Sequence, residues 1–170
     1  MKQRPLRLVE SENRFLGLRP DDLTEAEVES LTDLALGVLA ARHTKGQAIE
    51  SPAQSRAYLR LWLAERKNEV FGCIFLDNKH RVLAVEELFH GTIDGASVHP
   101  RVVVQRALEL NSASTLFFHN HPSGVCEPSE ADLRITERLK SALALVDVRV
   151  LDHLIVATEG SVSLAEQSLL

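Results

Sequence analysis

The apolar residues of this chain change their spacing after Lys67-Asn68, and that change constrains the fold more than any other feature. Before it, Val28, Leu31, Leu34, Ala35, Val38 and Leu39 recur at the three- and four-residue intervals of a helix face. After it, Glu69-Val70-Phe71-Gly72-Cys73-Ile74-Phe75-Leu76 is a short and nearly continuous apolar run. Such a run marks a strand buried on both sides, because a half-exposed strand would alternate. Ser114 to Phe118 repeats the pattern and ends at His119.

The remaining elements follow from caps and breakers. Thr24 and Glu27 form a capping-box pattern ahead of the first helix, and Gly46 stands where it would stop. Ser51-Pro52 opens a second helix, with Gln54 three residues after the serine and Ala57, Tyr58, Leu61, Trp62 and Ala64 as its apolar side. Asp77-Asn78-Lys79 is a turn, and Arg81 to Leu88 its hairpin partner. Gly91 to Gly95 reads as loop, Ala96-Ser97-Val98 as a short strand, and Pro100 to about Asn111 as a helix. Asn120 to Pro128 is loop and Ser129 to about Leu145 helix. Asp147 to Thr158 and Ser161 to Leu164 are strands joined at Glu159-Gly160. Helices and strands mix without strict alternation, which predicts one mixed sheet flanked by helices. Residues 1–48 form a short N-terminal helical arm in this reading, and residues 49–170 the main domain.

With 170 residues, 45% hydrophobic and 25% charged, the chain can bury a core of its own. The formal net charge of −5 argues against a broadly basic nucleic-acid-binding surface. Up to Glu50 there are seven basic against nine acidic side chains, a poor electrostatic footprint for duplex DNA. Two cysteines cannot form a disulfide framework, and no apolar run reaches the ~18 residues of a membrane span. The expectation is a cytoplasmic protein without a membrane partner.

Chemistry concentrates in His119-Asn120-His121-Pro122-Ser123-Gly124-Val125-Cys126-Glu127-Pro128-Ser129-Glu130-Ala131-Asp132. His119 and His121 are two apart at the end of a strand, so both imidazoles face the same side. Asp132 follows in the first turn of the next helix, where a strand-loop-helix turn can return its carboxylate to the strand end. Two histidines and an aspartate would leave the fourth position of a zinc ion open, as catalytic zinc requires. Ser129 to Asp132 is equally a helix capping box, and the two roles are compatible.

The spacing H-x-H-x7-S-x-x-D resembles the JAMM (JAB/MPN+) metalloprotease motif. The string His119-Asn120-His121-Pro122-Ser123-Gly124, then Pro128-Ser129-Glu130-Ala131-Asp132, is similar to the RadC-like branch of that superfamily. Further matches are Glu69-Val70-Phe71, Gly91-Thr92, Val98-His99-Pro100-Arg101 and Leu151-Asp152-His153-Leu154-Ile155-Val156. The resemblance covers about residues 50 to 165. It implies a mixed α/β (α+β) domain of JAB/MPN-like, cytidine-deaminase-like architecture and a Zn2+-dependent peptidase or isopeptidase. His119, His121 and Asp132 would ligate the metal, Glu69 would act as general acid/base, and Ser129 would bond the developing oxyanion. Glu86 and Glu87 compete with Glu69, which is preferred because it directly precedes the first buried strand, where the family's glutamate falls.

Asp152-His153 reads either as support orienting a metal ligand or as a buried hydrogen-bonded pair. His99 and Arg101 are exposed loop residues or the lining of a substrate groove. The family often continues Pro-Arg with Glu, whereas Val102 stands here. Cys126 is read as a bystander in the metal loop, Cys73 as core, and His43, His80 and His90 as surface residues. Ser123-Gly124 lacks the G-x-S-x-G frame of a serine nucleophile, and no phosphate-binding glycine loop is present. The contiguous H-N-H is unlike the nuclease motif of the same letters, whose residues are spread out. Two further functions compete: a binding module of the same fold without catalysis, and the DNA-repair role attached to the RadC name. A peptide or isopeptide-linked protein is the expected partner, and the charge balance gives nucleic acid no support.

Overall fold

A computed structural model describes residue 15 and residues 17–49, 51–63, 66–91 and 97–170. Residues 1–14 of the expected N-terminal arm lie outside these, as do Ala64, Thr92 and Ala96. The chain divides into two compact units, Met1–Leu34 and Ala35–Leu170.

In the first unit a 3-10 turn, Pro20–Asp22, precedes the start of helix α1, Glu25–Ala41. The capping box forms: the Thr24 amide donates to Glu27 Oε2 at 2.8 Å and the Glu27 amide to Thr24 Oγ1 at 3.4 Å. No residue of α1 is buried, and Val28, Leu34 and Val38 stand open. Of the helical stripe legible in the sequence, Leu31 and Leu39 are half-buried.

The second unit is built on five strands: β1 Val70–Leu76, β2 Val82–His90, β3 Ser114–Asn120, β4 Arg149–Ala157 and β5 Gly160–Ser163. They form one sheet in the order β2-β1-β3-β4-β5. Only β3 and β4 run parallel; the other three pairs are antiparallel. A parallel pair needs a long crossover, and α4, Glu130–Ala144, supplies it. The expected mixed α/β (α+β) sheet with flanking helices is thus the observed architecture, consistent with a JAB/MPN-like fold. The proposed short strand at Ser97-Val98 does not form, and Val98 packs its side chain on the core instead.

Both faces of the sheet are covered, which explains the unbroken apolar runs of β1 and β3. Helix α2, Pro52–Leu63, covers one face, packing Leu59 and Leu63 against Ile74, Leu116, Phe118, Leu154 and Val156. Its buried stripe is Ser55, Leu59 and Leu63, one position off the expected one; Tyr58 and Trp62 flank it and Ala57 is exposed. Helices α3, Pro100–Glu109, and α4 cover the other face against Phe71, Cys73, Phe75 and Phe117. A Cβ on Gly72 would overlap the Phe118 ring and the Glu86 carbonyl, so only glycine fits between those strands. No helix among the described residues is long and apolar enough to cross a membrane.

Candidate metal centre

β3 runs through His119 to Asn120, one residue past its expected end. The His121 amide continues the parallel ladder by donating to the Val156 carbonyl at 2.8 Å. His119 and His121 therefore leave the sheet on one side, as alternation requires. Pro122 to Pro128 then turn back to α4. Gly124 makes the reversal with φ +93, a left-handed conformation that disfavours a side chain. At the start of α4 the capping box is complete: Ser129 N and Oγ both donate to Asp132 Oδ2, at 2.7 and 2.6 Å, and the Asp132 amide donates to Ser129 Oγ. The cap is what aims the carboxylate at the strand end.

The three side chains converge. His119 Nε2 lies 2.9 Å from His121 Nε2 and 3.2 Å from Asp132 Oδ1, and His121 Nε2 lies 3.3 Å from Asp132 Oδ2. Ligands about 2.0–2.1 Å from a tetrahedral ion would stand about 3.3 Å apart, close to this triangle. The donor set also fits in its chemistry. His121 Nδ1 meets the Val125 carbonyl at 2.9 Å, and a carbonyl only accepts, so Nδ1 carries the proton. When that ring is neutral its Nε2 is a bare lone pair, facing another imidazole nitrogen and a carboxylate. Such a cluster calls for a cation. Among the described residues, His119, His121 and Asp132 are the group whose donor atoms could hold a metal ion.

The electrostatics agree. Burial alone would raise the Asp132 pKa, but the His119, His121 and Ser129 bonds hold it far below the usual carboxylate range. The Asp132 bond outweighs burial and raises His121, with a smaller contribution from the Glu69 charge. Beneath the ligands the floor is aromatic: Phe71 stacks on His119 at 6.3 Å between centroids and 18°, and Phe117 meets His153 edge-on.

Glu69 is half-buried immediately before β1. The β1–β3 ladder ends at the Phe71–His119 pair; Glu69 lies two residues before Phe71 and His121 two after His119, and the Glu69 charge acts on His121. Glu86 and Glu87 face other partners. Glu86 takes Arg106 in a two-pronged pair at 2.6 and 2.7 Å, and Glu87 pairs with Arg66 at 2.7 Å. Ser129 carries its hydroxyl on Asp132 rather than toward open space.

Asp152 and His153 part company. They are neighbours on β4 and so face opposite sides of the sheet. His153 Nε2 reaches His119 Nδ1 at 2.8 Å. Asp152 points the other way, accepting from Ser163 Oγ at 2.7 Å and from the Ala165 amide, and so ties down the chain after β5. His99 and Arg101 are exposed at the start of α3, with the His99 ring edge-on to Phe89. Cys126 is half-buried near Gly160, outside the triangle, and Cys73 is core, its thiol pKa raised by burial.

Two residues were missed in the sequence. Asn120, between the histidines, is buried; its Oδ1 accepts from the Val70 amide at 2.8 Å and its Nδ2 donates to the Asn68 carbonyl at 3.1 Å. It thus grips the backbone on both sides of Glu69. Thr136, one turn past Asp132 on α4, touches His153. A polar residue between two ligand positions and a threonine on a buried helix stripe were the available signals.

His43 corrects an expectation. It is 5% exposed, not a surface residue, and stacks on Tyr58 at 4.4 Å.

A family model described as the RadC-like JAB domain matches residues 49–169. A UPF0758 protein of Stutzerimonas stutzeri is 54% identical over 151 residues, covering 89% of this chain and 66% of that protein. One from Azotobacter vinelandii is 53% identical over 155 residues, covering 91% and 68%. One from Nitrosococcus oceani is 59% identical over 126 residues, covering 74% and 56%. The chain spans about two thirds of the length of the first two of these relatives and less of the third. With its His-His-Asp triangle at the end of β3 and this match over most of its length, the chain belongs to the RadC-like JAB domain family.

Proposed function

We propose that the chain is a zinc-dependent peptidase or isopeptidase. The observation that carries this reading is the meeting of two imidazole nitrogens and a carboxylate within 3.3 Å, with the Glu69 charge close enough to act on His121. Nitrogen and carboxylate donors suit zinc, and three protein ligands leave a position open, as in catalytic sites. Bound zinc supplies Lewis acidity, polarising the amide carbonyl and bringing the pKa of water toward about 7.

The protein groups have separate tasks. His119, His121 and Asp132 would hold the ion. Glu69 takes the proton of the attacking water on its carboxylate and delivers it to the leaving amine nitrogen. Ser129 turns its hydroxyl from Asp132 to the developing oxyanion, while its amide stays on Asp132 Oδ2 and keeps that carboxylate aimed. Substrate is a peptide or an isopeptide-linked protein.

The test is a screen of the zinc-loaded chain against peptide, isopeptide-linked and DNA substrates, with His119→Ala as the control. Amide cleavage that disappears in the control is the expected result. Zinc binding without turnover of any amide would favour the binding-module reading, and salt-sensitive binding to DNA without amide cleavage the repair reading.

A further inference from the structure

The geometry points to a hydrogen-bonded ring behind the centre, in which Thr136 and His153 fix the tautomer of His119 so that its Nε2 lone pair faces the metal position. This inference rests on the metal-centre reading and not on hydrolysis.

The ring runs from His119 Nδ1 to His153 Nε2 at 2.8 Å, from His153 Nδ1 to Thr136 Oγ1 at 2.6 Å, and from Thr136 Oγ1 to the Asp132 carbonyl at 2.6 Å. It joins two of the three ligand residues through the protein interior. Each link has a direction, set from one end. The Asp132 carbonyl can only accept, so the Thr136 hydroxyl spends its one proton there. Toward His153 the Thr136 oxygen must then accept, and His153 Nδ1 carries a proton. His153 is fully buried, and neither of its ring nitrogens meets a carboxylate, so its ring is neutral and its Nε2 is bare. His119 Nδ1 must therefore donate. A neutral His119 is left with a bare Nε2, the atom that faces His121 and Asp132.

Reversing any link fills the wrong atom. If His153 carried its proton on Nε2, His119 Nδ1 would accept, and the remaining His119 proton would sit on Nε2, inside the metal position. Thr136 is the pivot because its single oxygen both donates to the Asp132 carbonyl and accepts from His153 Nδ1, which sets the direction of every later link. Its side chain is 2% exposed, so water does not substitute for it. Thr136 and His153 are thus positioning residues that act through His119. Partners of this kind typically contribute about 10–100-fold to metal affinity.

Zinc affinity of the full chain, measured by competition with a chromophoric chelator, tests the ring without needing a substrate. Thr136→Val keeps the shape and removes the hydroxyl, and is expected to weaken zinc binding by about tenfold or more. Thr136→Ser restores the hydroxyl and is expected to bind within about twofold of the original chain, a rescue that a purely space-filling role would not need. Nitrogen-15 NMR of the unsubstituted, metal-free chain is expected to show His119 protonated on Nδ1; this readout stands even where Thr136→Val does not fold. Thr136→Val binding zinc as tightly as the original chain, or a His119 Nδ1 without a proton, overturns the ring. His119→Ala separates the two readings: if it too binds zinc unchanged, the metal centre itself is wrong, whereas loss there with retention in Thr136→Val removes only the ring.

Discussion

The two faces of the sheet each bury a histidine among aromatic rings, with opposite consequences. On the α2 side His43 is 5% exposed and heads a stack that continues through Tyr58 and Trp62 to Phe118. On the α4 side His119 is 1% exposed and lies on Phe71. Burial and stacking are therefore alike. The difference lies in what meets the ring nitrogens. His43 Nδ1 meets the Leu39 carbonyl at 3.0 Å and Nε2 the Ser55 hydroxyl at 3.3 Å, partners that satisfy a neutral ring. His119 meets two further imidazoles and a carboxylate, and no arrangement of protons on neutral rings satisfies them all. A buried histidine is structural when its partners complement it, and becomes a candidate site when several electron pairs converge without a donor.

The contrast breaks most sharply under alanine substitution. His119→Ala or Asp132→Ala is expected to abolish stoichiometric zinc on elemental analysis, while His43→Leu keeps one equivalent. Zinc at one hundred times its Kd should stabilise the original chain by about 2.7 kcal/mol in a thermal melt, and this gain should vanish with His119→Ala. Equal zinc content in all three variants would erase the distinction.

Next in size is Glu69→Gln, which should retain zinc and lower amide turnover by roughly 10²- to 10⁴-fold. Unchanged turnover would remove Glu69 from the chemistry and return Glu86 and Glu87 to consideration. Gly72→Ala acts on the α2 side of the same sheet by pressing on Phe118 and the Glu86 carbonyl. Denaturant titration should show a loss of about 2–3 kcal/mol, with zinc still bound where the variant folds. A neutral effect would mean that β1 and β3 can separate without cost.

The smallest effect is a pH dependence on the His43 side. Burial is the main reason its pKa lies below the usual value, with the Arg42 charge adding to it. The unfolded chain therefore binds this proton more readily than the folded one. The folded state keeps its full advantage above the unfolded pKa of about 6.5 and loses it progressively as pH falls toward the lowered folded value. Between pH 7 and pH 5 the original chain should lose more stability than His43→Leu, by about 1 kcal/mol or less. Parallel pH profiles for the two would show that His43 titrates normally.

The triangle was legible because its causes are local. Two histidines two apart share a strand face by alternation, and a serine-to-aspartate capping box fixes where a helix begins. Glu69 was half-legible: its place before a buried strand could be read, but not the antiparallel pairing of β1 with β3 that brings its charge to bear on His121. Asp152-His153 stays a bonded pair, the His153 amide donating to Asp152 Oδ1 at 2.7 Å, but alternation sends the two side chains to opposite faces and only the layers on each side decide which one meets His119. Asn120 and Thr136 gave only weak signals, a polar residue between two histidines and a threonine on a helix stripe, because each acts on groups brought to it by another element.

The sequence by itself determined the run of buried strands, the mixed sheet, and the grouping of His119, His121 and Asp132 as a candidate metal site, through short-range rules of period and capping. The tertiary structure decided that His43 is buried, that His153 rather than Asp152 supports His119, and that Thr136 closes the chain of hydrogen bonds back to Asp132. Those outcomes depend on which distant surfaces pack together, and periodicity along one segment contains no information about its partner's register.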